Sequence, residues 1–223
     1  MAVRAPSGAV ALEVRRQIML SLARFGVILM GTVSIISGPS LFASRLEAAP
    51  AGVAHQPVQL TDNGANLVWA ARAQTWIPTI YNPGYRQIPY PDGDIPWYFG
   101  VCTDVIVRAY RWLGVDLQVE VHKAGVGSGD TNIDHRRVSV LRKFFAQKGR
   151  SLPISSNPDD YMPGDIVTYY VPTAWFSKAH IAIVSDVEAT GGVPLIIHNR
   201  GFGVQEENRL FAEKITGHYR YLP

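Results

Sequence analysis

Two kinds of hydrophobic period, in a fixed order, place this chain in the α+β class. In the first half of the body, apolar residues recur at three- and four-residue steps. In the second half they gather in short β-rich runs, and a Pro-Gly-Asp turn at 163–165 separates the two regimes. The expected architecture is N-terminal helices, one of them carrying the lone cysteine, packed on an antiparallel sheet. Of 223 residues, 47% are hydrophobic and 17% charged, which is a globular profile. A single Cys excludes an intramolecular disulfide, a multi-thiolate zinc cluster and an iron–sulfur site.

Charge is spread unevenly. The net +3 lies within residues 1–48, which hold five basic residues (Arg4, Arg15, Arg16, Arg24, Arg45) and two acidic ones (Glu13, Glu47). The remainder balances at 16 basic and 16 acidic side chains. A neutral body argues against a nucleic-acid partner. Residues 1–48 read as an export signal: Arg15, Arg16 and Arg24 precede the apolar run FGVILMGTVSII at 25–36, then a Gly/Pro/Ser break and small residues. Cleavage after Ala43 and cleavage near Ala48 both fit. Twelve residues are short for a membrane span, so no stable insertion is expected after removal, with a retained anchor as the alternative. The Arg15-Arg16 pair hints at twin-arginine export. The small, polar stretch 49–62 reads as a flexible leader, and 63–223 as one domain in the periplasm.

The first helix is expected over 63–77, where Ala65, Val68, Trp69, Ala73 and Trp76 form a stripe that Pro78 ends. Residues 81–98 are dense in Pro, Gly and Tyr, an ordered loop whose four tyrosines can line a groove. Residues 100–114 form a buried helix with Cys102 in its first turn. From 116 to 137 regular period is lost, so a loop is expected, and a short helix follows over 138–147. The β-rich runs are 162–171, 180–187, 194–201 and 217–222, with a Thr-Gly-Gly turn at 190–192 joining the middle two into a hairpin.

An exported protein that keeps one cysteine needs a reason for it, either as a small buried hydrophobe or as a nucleophile. At a helix start, free N–H groups and the helix dipole favour a thiolate and can also face an oxyanion. A thiol nucleophile needs a base and a group to orient that base. His180 opens one strand and His198 ends the next. In a hairpin whose opposed residues sum to about 381, both fall toward the same end. The residues therefore assign Cys102 as nucleophile, His180 as general base and His198 as the orienting group, with Asn199 as a substitute for the last.

The runs GVCTDVIVRAYRWLG, DTNIDHRRV, PGDIV, HIAIVSD, PLIIHN and ITGHYRY resemble a YijF-like family of periplasmic proteins of unknown function. That family is in turn similar to the NlpC-type cell-wall cysteine peptidases, a compact branch of the papain-like superfamily. The resemblance covers about residues 65–223. It implies a papain-like NlpC-type fold and a Cys-His-His site at Cys102, His180 and His198. It also implies an oxyanion-binding tyrosine about a dozen residues before the cysteine, a spacing met by Tyr90, with Tyr85 and Tyr98 as competitors. Val101 stands where such enzymes usually carry an Asp that reads a substrate amino group, and Asp104 can cover that role or cap the helix. The 124–129 linker is also shorter than the family's aromatic segment there, which bears on substrate choice.

Asp134, His135, Arg136 and Arg137, with Asp130, have two readings: a hydrogen-bonded brace, or recognition of a substrate carboxylate by an arginine. His122, Asp134, His135 and His218 form no recognised metal-ligand spacing, so neither a metal nor a cofactor is expected. The expected function is a periplasmic cysteine hydrolase that cleaves an amide bond in peptidoglycan peptides through an acyl-enzyme. The alternatives are an acyltransferase using the same site and a non-catalytic envelope protein that binds murein or a protein partner. Oligomeric state is not assigned.

Overall fold

The structure, a computed structural model, describes residues 62–174 and 177–222. The export signal and residues 49–61 of the leader lie outside the described residues. Among the described residues no helix is long and apolar enough to cross a membrane.

Among the described residues four helices precede the main sheet: α1 (Asp62–Ala73), α2 (Cys102–Trp112), α3 (Leu117–Ala124) and α4 (Val138–Lys148). After α1 a single 3-10 turn, Gln74–Trp76, carries the chain to Ile77, and Pro78 bars continuation. The buried face of this segment is Leu67, Val68, Ala70, Ala71 and Gln74. Trp76, expected on the core stripe, is 85% exposed. Trp69 is half-buried against Trp112 of α2, ring centroids 5.3 Å apart. The stripe is rotated because small residues let α1 lie close against the sheet, while the bulky indoles sit at its margin.

Helix α3 corrects the expected loop over 116–137. Its signals are local: Asp116 caps it by accepting from Gln118 N at 2.9 Å, and Gly125 ends it at φ 63°, a conformation glycine adopts without strain. With only Leu117 and Val121 as buried apolar positions, two turns generate no readable period.

Two short strands, β1 (Ile80–Tyr81) and β2 (Phe99–Gly100), pair in parallel, with Tyr81 opposite Gly100. They close the tyrosine loop at its base. The remaining strands, β3 (Arg150–Ser151), β4 (Ile166–Tyr170), β5 (Ala179–Glu188), β6 (Pro194–Asn199), β7 (Val204–Glu207) and β8 (Lys214–Arg220), form one sheet in the order β3-β8-β4-β5-β6-β7. Every pairing is antiparallel. The last strand inserts between β3 and β4, so the sheet is a meander with its end folded back inside.

Alternation along the strands builds two cores. Ile166, Ile181, Ile183 and Ile197 join the helices around Tyr110, Phe144 and Phe145. Val167, Tyr169, Ala182, Val184 and Ile196 form the other layer with Tyr161 and Leu210. Arg72 ties α1 to the sheet through both carboxylate oxygens of Glu206, at 2.9 and 2.7 Å, and through Ser185.

The inserted strand is latched by Asp165. This fully buried carboxylate accepts from Arg220 Nε at 2.6 Å and Nη2 at 2.8 Å, from Met162 N at 3.0 Å and from His218 Nε2 at 2.8 Å. Burial alone would raise its pKa, but the bonds from His218 and Arg220 outweigh burial and hold it below the usual carboxylate range. Replacing Asp165 by Ala leaves the Arg220, His218 and Met162 donors facing an empty polar site. A loss of about 3 kcal/mol in urea unfolding is expected, since removing one partner of a buried pair strands the other.

Candidate active site

Cys102 opens α2 because Val101, the residue before it, is extended at φ −125° and ψ −174°. The Val101 N–H donates to Asp104 Oδ2 at 2.7 Å, which caps the helix from its third residue. Asp104 in turn takes Arg136 Nε at 2.7 Å and Nη2 at 3.0 Å, with both side chains 3% exposed. Thr103 Oγ1 donates to the Arg136 carbonyl at 2.9 Å. The helix start and the arginine turn are thereby clamped together. Of the two roles open to Asp104, substrate contact or helix cap, the structure shows the cap, together with the ion pair to Arg136.

The thiol itself is buried. Burial pushes its pKa up to about 12, and the Asp104 charge adds to this, while backbone N–H groups of Ile181, Thr103 and Cys102 pull the other way. The expected resting thiolate is therefore corrected: desolvation outweighs the helix start, and Cys102 rests as a thiol.

The hairpin of β5 and β6 pairs Ile183 with Ile197 and Val184 with Ile196, a sum of 380 and one less than expected. The difference decides the site. With an odd sum, His180 and His198 would project to opposite faces. With an even one they share a face as diagonal neighbours. His180 Nε2 lies 2.8 Å from His198 Nδ1, with ring centroids 5.0 Å apart. Both rings are buried. Burial, then His198, Arg200 and Arg209, hold the His180 pKa well below 6.5. Burial, then Arg200 and Arg209, bring that of His198 down to about 3. The pair is neutral, so a single proton lies between the two rings. If it sits on His180 Nε2, His180 Nδ1 keeps its lone pair as a base and His198 carries its proton on Nε2.

Glu207 favours that arrangement. His198 pairs with Gln205 across β6 and β7, which puts Glu207 on the same face, and Glu207 Oε1 is 3.3 Å from His198 Nε2. The approach is out of line for a hydrogen bond, and the buried Nε2 has no other partner among the described residues. Glu207 escaped sequence reasoning because only the strand register brings it there.

Two neighbouring cavities serve these groups. One, of about 380 Å³, is walled by Cys102, Tyr81, Ser177, Ala179, Arg136 and Arg137. The other, of about 480 Å³, is walled by His180, Glu207, Arg200, Tyr81 and Ser177. Tyr81 and Ser177 belong to both. No hydrogen bond joins Cys102 to His180 among the described residues; the link is that Ile181, the residue after His180, bonds the Cys102 sulfur through its backbone.

Tyr81 hydrogen-bonds the Cys102 side chain, and burial, then Cys102 and Asp104, raise the pKa of its hydroxyl. The parallel bridge to Gly100 carries it there from twenty-one residues upstream. Tyr90, expected near the sulfur, instead stands edge-on to His122 at 5.5 Å between centroids and walls neither cavity. Tyr85 reaches the wall of the Cys102 cavity, whereas Tyr98 walls neither and packs on Phe99. Asn199 does not orient His180; its Oδ1 accepts from Gly201 N at 3.0 Å.

Asp134 accepts from Ser128 Oγ at 2.9 Å and Gly129 N at 2.8 Å and so braces the glycine-rich loop. His135 is buried, its pKa lowered to about 4 chiefly by that burial. Neither walls either of these two cavities, so of the four candidates at 134–137 only Arg136 and Arg137 face the site. Among the described residues, no three His, Cys, Asp or Glu side chains are grouped to hold a metal ion.

Residues 68–221 match the family described as a domain of unknown function, DUF1287. The uncharacterized protein YijF of Escherichia coli (strain K12) is 41% identical over 205 residues, covering 86% of this chain and 98% of YijF. Among solved structures, that of NlpC1 from Trichomonas vaginalis aligns with a TM-score of 0.43 and 16% identity, over 72% of this chain and 44% of that protein.

Two outcomes test the histidine geometry. Nitrogen NMR of the wild type shows His198 protonated on Nε2, and Glu207→Ala mixes its tautomers. As pH falls below ~6.5 the unfolded chain protonates His135, His180 and His198 while the fold resists, so stability drops by up to ~1.4 kcal/mol per pH unit for each. The drop levels off near 4 for His135 and near 3 for His198. Urea midpoints at pH 7 and pH 5 record it, and His198→Asn narrows the gap.

Proposed function

Because the chain belongs to the DUF1287 family, whose function its description leaves open, we propose an activity from the site itself: a thiol hydrolase that cleaves an amide bond. The observation that carries this reading is the shared wall. A cysteine at a helix start and His180, hydrogen-bonded behind the wall to a second neutral histidine, open onto neighbouring cavities that have Tyr81 and Ser177 in common. The order of parts supports an NlpC-type, papain-like arrangement, with the cysteine helix packed on an antiparallel sheet, a histidine at one strand's start and a second on the next strand.

In the proposed reaction Cys102 gives its proton to His180 as the sulfur adds to the substrate carbonyl. The N–H groups at the start of α2 and the Tyr81 hydroxyl face the oxyanion. His180 returns the proton to the leaving amine, and an acyl-enzyme forms. Water, deprotonated by His180, then releases the acid. His198 orients His180 and Glu207 steadies His198. Because the thiol rests protonated, its proton moves as the bond forms rather than beforehand. The export-like pattern of residues 1–48 supports a periplasmic location, the resemblance to NlpC-type cell-wall peptidases is what suggests peptidoglycan peptides as the substrate, and the same acyl-enzyme can be intercepted by an amine instead of water.

One observation favours a second reading, a non-catalytic envelope protein that binds murein or a partner: Cys102 is buried among core residues and makes no hydrogen bond to His180. Incubation of purified muropeptides followed by mass spectrometry separates the two. Hydrolysis by the wild type, lost in Cys102→Ala and reduced about 10²-fold or more in His180→Ala, supports the enzyme. Intact muropeptides with all three proteins, together with retained binding, support the binder.

A further inference from the structure

The cavity beside Cys102 has an unusual electrical lining. It contains two arginines, Arg136 and Arg137, and no Asp or Glu. The two arginines differ. Arg136 is buried, with two nitrogens on Asp104, and its third, Nη1, has no hydrogen-bond partner among the described residues. Arg137 is exposed, and no ion pair or side-chain hydrogen bond engages it among the described residues. Asp130, whose charge Arg137 feels, has its oxygens occupied by Asn132 and by the Tyr85 hydroxyl at 3.1 Å.

The same wall holds the start of α4. Arg137 is its N-cap and makes no side-chain cap; the first turn contains no acidic residue. Val138 and Ser139 both line the cavity, and the N–H groups of a helix's first turn have no carbonyl within the helix to bond. An uncapped helix start is a partial positive charge with donors already oriented. Here a free guanidinium stands at the cap and a second, partly unsatisfied one stands behind it.

We propose that this wall binds a carboxylate of the substrate, held by Arg137 and by the Val138 and Ser139 N–H groups with Arg136 behind them. The preferred substrates are then peptides bearing a free carboxylate close to the amide that Cys102 attacks. The inference deepens the hydrolase reading and rests on it for the word substrate, but the binding site stands or falls by itself.

Amide NMR of the full domain, titrated with N-acetylglycine and separately with N-acetylglycinamide, tests it. The expected result is that the Val138 and Ser139 signals move with the carboxylate and not with the amide, unchanged in Cys102→Ala. Apparent affinity falls about tenfold in Arg137→Gln and is restored in Arg137→Lys, one charged contact being the difference. Equal shifts with both compounds, no shift at millimolar concentrations, or an affinity indifferent to Arg137→Gln overturns the proposal. A second readout separates the two readings. Alkylation of Cys102 by iodoacetate relative to iodoacetamide falls in Arg137→Gln if the anion site serves the sulfur. A thiol that reacts with neither reagent until unfolding overturns the hydrolase reading and leaves the anion site to be judged by the titration.

Discussion

The Asp104–Arg136 ion pair is the contact from which the rest of the site takes its position. It is buried on both sides and bidentate, and its carboxylate also receives the Val101 N–H. Through that one carboxylate the start of the cysteine helix, the turn at 134–136 and the entry to the next helix become a single rigid corner. A charge pair so deep is expensive to desolvate, and it holds because nearly every donor and lone pair around it is matched. The exception is Arg136 Nη1, buried and without a hydrogen-bond partner among the described residues, on a residue that lines the cavity Cys102 opens onto.

The sheet supplies the other half of the site by parity. Odd-numbered residues of β5 and β6 face the helices and even-numbered ones the second core, so Cys102 and the histidines belong to different layers. Where β5 begins, the cavity beside Cys102 and the cavity beside His180 share Tyr81, brought in by the β1–β2 bridge, and Ser177. Burial then governs the chemistry on each side. It keeps the thiol protonated and the imidazoles neutral, and the nearby Arg200 and Arg209, both turned to Glu213, push the histidines further in that direction. A site of neutral partners avoids a standing ion pair in a low-dielectric pocket.

Much of the architecture could be read before any coordinates. Pro78 and Gly114 bound their helices, the Pro-Gly-Asp turn announces the sheet, and Cys102, His180 and His198 stand at the element ends where the residue pattern put them. Other features were not legible, each for a specific cause. Helix α3 has two buried apolar positions, too few for a period. Trp76 carries a core-type side chain that tertiary packing leaves outside. Tyr81 and Glu207 reach the site through strand pairings, and residue spacing along the chain carries no trace of them.

Local chemistry, then, was enough for helices that precede an antiparallel sheet and for the longer elements among them, because period, turn residues and residue type act over a few positions. The face on which the two histidines stand, the state of the sulfur and the arginine left without an ion pair among the described residues required the folded chain. Those depend on a one-residue register, on how much water is excluded, and on which carboxylate reaches which guanidinium first, all of them contacts between segments far apart in sequence.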